Sequence, residues 1–139
     1  MKIGIIGGTF NPIHNAHLLI AEMAREEYGL DRVIFITDGN PPHKSANVTA
    51  KQRFEMTHIA IADNSAFEED DFEINRSEKS YTVNTLGYLK EKYPNNDLFF
   101  IIGEDSLNDF DKWYKPDKIL EMCSLLVFPR KSLKSLTET

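Results

Sequence analysis

The chain has 139 residues, 41% hydrophobic and 27% charged, with a formal net charge of −6. That length suits one compact domain with a real core, and the composition excludes a disordered chain. No apolar run approaches the roughly 20 residues that span a bilayer, an acidic excess is a poor match for a protein that coats nucleic acid, and one cysteine, Cys123, excludes a disulfide framework within the chain and fits a reduced cytoplasmic setting.

The first segment, Lys2 to Gly7, is short, apolar and Ile-rich and ends at a double glycine, which reads as a buried strand. No small-residue cleavage site follows it, so it does not read as a secretory signal. Helical spacing of Leu19, Ile20, Met23 and Ala24 predicts a helix from about Ala16 to Tyr28, with Gly29 as its stop. Val33 to Thr37 is β-branched and aromatic and reads as a second strand. The loop Asp38 to Asn47 follows, and its Pro41-Pro42 pair cannot be helix interior.

Thr49 to Ala62 reads as a second helix. The acidic run Glu68 to Asp71 reads as a solvated loop without functional weight, and Phe72 to Ile74 as a short strand. Thr82 to Lys92 is a third helix, with Thr82 as a plain helix cap. Leu98 to Ile102 is a strong strand ending at Gly103. Leu107 to Tyr114 reads as helical, Pro116 opens a short helix through Met122, and Leu125 to Phe128 is a last strand, with Cys123 a small core residue beside it.

Strands that alternate with helices predict an α/β fold: a Rossmann-like three-layer sandwich on a mostly parallel sheet, with right-handed crossovers. Ligands in such sheets collect at the carboxyl ends of the strands. The loops after Gly7, Thr37 and Ile102 are therefore the ones to read for function.

The first of these, GGTFNPIHNAH from Gly7 to His17, carries the strongest signal. Gly7 and Gly8 let backbone approach a phosphate or sugar closely. The stretch is neither a dinucleotide G-x-G-x-x-G fingerprint nor a P-loop, and the missing P-loop lysine argues against γ-phosphate chemistry. His14 and His17 are three apart at a helix start, so both imidazoles share one face over an amino terminus that favours anions. Zinc is the alternative, but a site needs about three protein ligands and only His43 and His58 remain as histidines.

Gly7, Gly8, Thr9, Phe10, Pro12, His14 and His17 in this order resemble the H-x-G-H nucleotidyltransferases. The string is most similar to the G-G-T-F-D-P-x-H-x-G-H form of the nicotinate-nucleotide adenylyltransferase family, with Asn11 where Asp is usual and Ala16 where Gly is usual. The resemblance implies that Gly7, Gly8, Thr9 and Phe10 hold ATP and that His14 and His17 are catalytic.

In the second loop, Lys44 places a compact cation where a phosphate would sit, with an ordinary surface lysine as the alternative. The block GNPPHKS is similar to the family's N-P-P-H-K loop, which implies that Asn40 contacts the mononucleotide and Lys44 a phosphate. In SYTVNT, Thr85 matches the threonine that reads the nicotinate carboxylate in that family.

After the third strand, Gly103 and Asp105 form a G-x-D pattern, and an aspartate there can accept from ribose hydroxyls. An indole face at Trp113 could stack on a flat ring, or serve as a half-buried core aromatic. By resemblance, Gly103 and Asp105 belong to the ATP site, and Trp113 with Tyr114 packs on the pyridine ring.

The expected reaction is adenylyl transfer from ATP to nicotinate mononucleotide, with Mg2+ bound mainly through the substrate phosphates. A homo-oligomer is compatible with this reading. Family members continue into an I-S-S/T-T-x-I-R block, whereas this sequence ends KSLKSLTET, where Ser135 and Thr137 lack the following arginine. The expectation is a single nucleotidyltransferase domain over 1–139, truncated at its carboxyl end. The alternatives are a weakly active or non-catalytic nucleotide-binding homologue, or a sibling such as a pantetheine-phosphate adenylyltransferase or cytidylyltransferase.

Overall fold

The computed structural model describes residues 1–8, 10, 13, 15–39, 49–76 and 81–129. Its elements are β1 (Lys2–Gly8), α1 (Asn15–Tyr28), β2 (Arg32–Thr37), α2 (Ala50–Ile61), β3 (Phe67–Asp70), α3 (Thr82–Lys92), β4 (Asp97–Gly103), α4 (Glu104–Asn108), α5 (Pro116–Met122) and β5 (Ser124–Phe128). The five strands form one sheet in the order β3-β2-β1-β4-β5, and every pairing is parallel.

Strand alternation divides the core between the two faces of the sheet. Ile6, Phe35, Ile101 and Leu126 face α1 and α2, packing with Ile20, Ala21, Ala24 and Ile61. Ile3, Ile5, Ile34, Ile36, Leu98 and Phe100 face the other layer, against Val83, Leu86 and Leu89 of α3 and Ile119 of α5. This is the expected three-layer sandwich. Ala16, one of the two departures in the first loop, is buried, so its methyl group packs inward.

Local chemistry accounts for the helix ends. Thr49 caps α2 in a reciprocal capping box with Gln52. Gly29 follows α1 with a φ of +65°, the left-handed stop that glycine allows. Pro116 occupies the first turn of α5.

Three expectations need correction. The strand on the second layer's edge is Phe67–Asp70, while Phe72 to Asn75 is a turn. The acidic run is thus an edge strand, not a solvated loop. It is held because its charges find partners: Glu68 meets Arg32, Glu69 meets His58, and Asp70, 4% exposed, accepts from Lys92 Nζ at 2.8 Å and Tyr88 OH at 3.1 Å. Such charge on an edge strand also discourages pairing with another chain. Secondly, α3 is capped at Tyr81 with no side-chain cap bond, and Thr82 is its first helical residue. Thirdly, the helix expected over Leu107 to Tyr114 lies earlier, at Glu104–Asn108, followed by a 3-10 turn at Phe110–Lys112. The acidic first turn of α4, Glu104 and Asp105, complements the helix dipole.

Cys123 is half-buried and donates to the Ile119 carbonyl oxygen at 3.4 Å; burial pushes its thiol up to about 11, so it is an inert structural residue.

Candidate active site

Chain direction changes between β1 and β4. From β1 the chain winds outward to β2 and β3, and then crosses to β4 and β5 on the other side. The carboxyl ends of β1 and β4 therefore splay apart, and a crevice opens there. It is a cleft of about 410 Å³ whose lining includes Gly7, Gly8, His17, Asp38, Glu73 and Trp113. Gly103, Ser106 and Thr82 complete its polar rim, and Phe100 and Ile102 give it apolar walls.

His17 reaches the cleft from the first turn of α1, where backbone N–H groups without helical partners favour anions. Its ring is set by Phe10, whose edge meets it with centroids 5.1 Å apart at 84°. Phe10 is 3% exposed and takes a φ of +48°, a left-handed conformation uncommon for a bulky residue, and its ring also packs on Phe35. Of the expected ATP residues, Gly7, Gly8 and Gly103 line the cleft, and Phe10 lies beneath it as the support of His17. Asp105 is exposed on the first turn of α4, between the cleft residues Gly103 and Ser106. Thr9 and His14 lie outside the described residues, as do Asn11, Asn40, Lys44, Ser135 and Thr137.

Trp113 and Tyr114 separate. Trp113 is half-buried, packs on Phe110 and Phe100 at 5.0 and 6.0 Å, and turns part of its surface into the cleft. Tyr114, 48% exposed, lies against Tyr81 with ring centroids 4.6 Å apart. Thr85 is buried and donates its hydroxyl to Glu73 Oε2 at 2.7 Å. It lines a recess of about 20 Å³ shared with Gly7, Glu73, Thr82 and Phe100, which also border the cleft.

Sequence reasoning missed Asp38, Glu73, Thr82 and Ser106 as cleft residues. Asp38 carried a usable signal, since it directly follows a strand end in a parallel sheet. Its N–H donates to the Gly8 carbonyl oxygen at 2.9 Å, continuing the β1–β2 ladder to the cleft mouth. Glu73 carried none, because only the placement of β3 beside β2 brings its turn to the cleft. There the Gly39 backbone lies so close to Glu73 that a Cβ on residue 39 would sit 2.1 Å from the Glu73 carbonyl oxygen. Burial pushes the Glu73 carboxyl up to about 7; Asp38 adds to the rise, and Thr85 and Arg76 oppose it.

The cytidylyltransferase-like family model matches residues 5–139. This chain belongs to that family. Among relatives, it is 48% identical to the probable nicotinate-nucleotide adenylyltransferase of Citrifermentans bemidjiense over 99% of this chain, and 50% identical to that of Pelobacter propionicus over 94%. The chain spans 66% and 61% of the lengths of those relatives. A solved nicotinic acid mononucleotide adenylyltransferase of Plasmodium falciparum, complexed with NaAD, superimposes with a TM-score of 0.81 at 23% identity. That match covers 96% of this chain and 70% of the other, and it supports the cytidylyltransferase-like fold. Among the described residues no helix is long and apolar enough to cross a membrane.

Proposed function

We propose that this chain joins nicotinate mononucleotide to the AMP part of ATP, giving nicotinate adenine dinucleotide and pyrophosphate. The observation that carries the reading is the meeting of glycine-ended strands, His17 on a helix's first turn and the Trp113 face in one cleft. The shared name of relatives that match nearly the whole chain supports it.

The mononucleotide phosphate attacks the α-phosphorus of ATP in line, and pyrophosphate leaves. No side chain becomes covalently attached, so catalysis is positioning and electrostatics. Gly7 and Gly8 give the polyphosphate close access to backbone. His17, with His14, stabilises the charge that grows on the α-phosphate and the leaving pyrophosphate. Lys44 orients a phosphate, Asp105 with Gly103 holds ribose, and Asn40, Thr85, Trp113 and Tyr114 select the pyridine nucleotide.

Magnesium would bind here mainly through the substrate phosphates and water, as that ion prefers. Bound there, it offsets polyphosphate charge.

The test is a coupled pyrophosphate-release assay of the chain with ATP and, in parallel, the acid and amide mononucleotides and pantetheine phosphate. Release with the acid mononucleotide is expected. Release with pantetheine phosphate alone would move the chain to a sibling activity. Calorimetric dinucleotide binding without any release would make it a non-catalytic binder.

A further inference from the structure

The proposed reaction gives no work to the carboxyl pair at the cleft floor. Asp38 follows β2 and Glu73 lies in the turn after β3; both line the cleft, and Asp38 lies near enough to disfavour ionisation of the Glu73 carboxyl. An ionised carboxylate only accepts, so two carboxyls share a hydrogen bond only when one carries a proton.

The backbone imposes this closeness. Gly39 packs against the Glu73 carbonyl, and Arg53 Nη2 donates to the Gly39 carbonyl oxygen at 3.3 Å from below. Thr85 holds Glu73 from the α3 side. The other charged or titratable groups facing the pair, among the described residues, are Arg53 of α2, Arg76 of the Glu73 turn and His17 of α1.

We propose that Asp38 and Glu73 hold one proton between them and that this proton admits an anionic group of the mononucleotide to the cleft floor, with Glu73 as the positioning residue. The inference rests on the function proposed above. With the proton, the pair carries one negative charge. Without it, the pair carries two, which repel an incoming oxyanion most strongly where water is excluded. Binding an anion there raises the proton affinity of the pair further, so a proton is taken up. The ring carboxylate and the 5′-phosphate are both oxyanions of the right kind.

The experiment is calorimetric titration of the full chain with nicotinate mononucleotide, and separately with its amide, between about pH 6 and 8.5. Two buffers of different ionisation heat are used, on the wild type and on Glu73→Gln, whose side chain keeps the shape and cannot ionise. Wild-type affinity for the acid is expected to fall by about tenfold per pH unit above pH 7, with net proton uptake. Glu73→Gln is expected to lose both the slope and the uptake; its pH profile shares any titration of the ligand's own phosphate, so the difference isolates Glu73. A slope that persists with the amide assigns the phosphate as the admitted anion; a slope that vanishes assigns the carboxylate, and both support the shared proton. Parallel pH profiles in the two proteins, or binding without proton uptake, would overturn it. Absence of mononucleotide binding by the wild type at every pH would instead remove the proposed function, and this inference with it. Should Glu73→Gln not fold, a carbon NMR titration of the wild-type Glu73 carboxyl decides: a midpoint near 7 is expected, and a midpoint in the ordinary carboxylate range overturns the proposal.

Discussion

His17 combines two properties of one position: it faces the cleft, and its partner Phe10 is locked in place by burial. Removing the imidazole side chain therefore changes chemistry more than packing. His17→Ala should lower turnover by about 100- to 1,000-fold, the usual cost of one lost donor to a developing oxyanion. The thermal transition should move little, because His17 is half-buried and Phe10 keeps its contact with Phe35. Steady-state rates alongside a thermal melt would separate the two, and near-normal turnover would remove His17 from the reaction. The cleft positions of His17 and Gly103 were legible because their signals are local, an imidazole at a helix start and a glycine at a strand end; Trp113 by itself also reads as a core aromatic, and the family resemblance pointed it to the cleft. Glu73 was not legible, since its place depends on the register of β3 with β2.

At the level of elements, the strands that read clearly are those buried on both faces, such as β1, β2 and β4, whose apolar runs end at glycine or at Thr37. Edge strand β3 has no such run. Its charges meet partners distant in sequence, and pairing Ile34 with Glu68 and Ile36 with Asp70 does the rest. Asp70 is the residue on which this edge depends: it accepts from the Phe72 N–H, Tyr88 and Lys92, and in turn holds the Lys92 ammonium above the usual lysine range. Asp70→Ala should cost about 2 kcal/mol in a urea unfolding experiment, less than a fully buried pair because Lys92 is partly solvated. Gly39→Ala tests the second loop. A methyl group directed at the Glu73 backbone forces the turn away and should cost about 1–3 kcal/mol, with weaker mononucleotide binding measured by calorimetry.

Across the whole molecule, the buried carboxyl of Glu73 makes a contribution to stability that depends on pH with a definite sign. Glu73 keeps its proton in the fold up to about pH 7 but releases it near the ordinary value of 4.5 when unfolded. Between those limits the folded state binds more protons, so the contribution of Glu73 to stability falls as pH rises and is level above pH 7. Lys92 does not offset this trend, since its ammonium stays charged throughout that window. Thermal melts of wild type and Glu73→Gln across this range should therefore differ in slope, the wild type declining more steeply toward pH 7; equal slopes would mean that Glu73 titrates normally.

The reaction proposed for the crevice between β1 and β4 is one transfer, that of the α-phosphoryl with its adenosine. ATP labelled at the α-phosphorus, incubated with the chain, magnesium and nicotinate mononucleotide, follows that group directly. The label should appear in a dinucleotide, only when the mononucleotide is present, with unlabelled pyrophosphate released in equal amount. Label that stays in ATP, or that is released as AMP whether or not the mononucleotide is added, would contradict adenylyl transfer at this cleft.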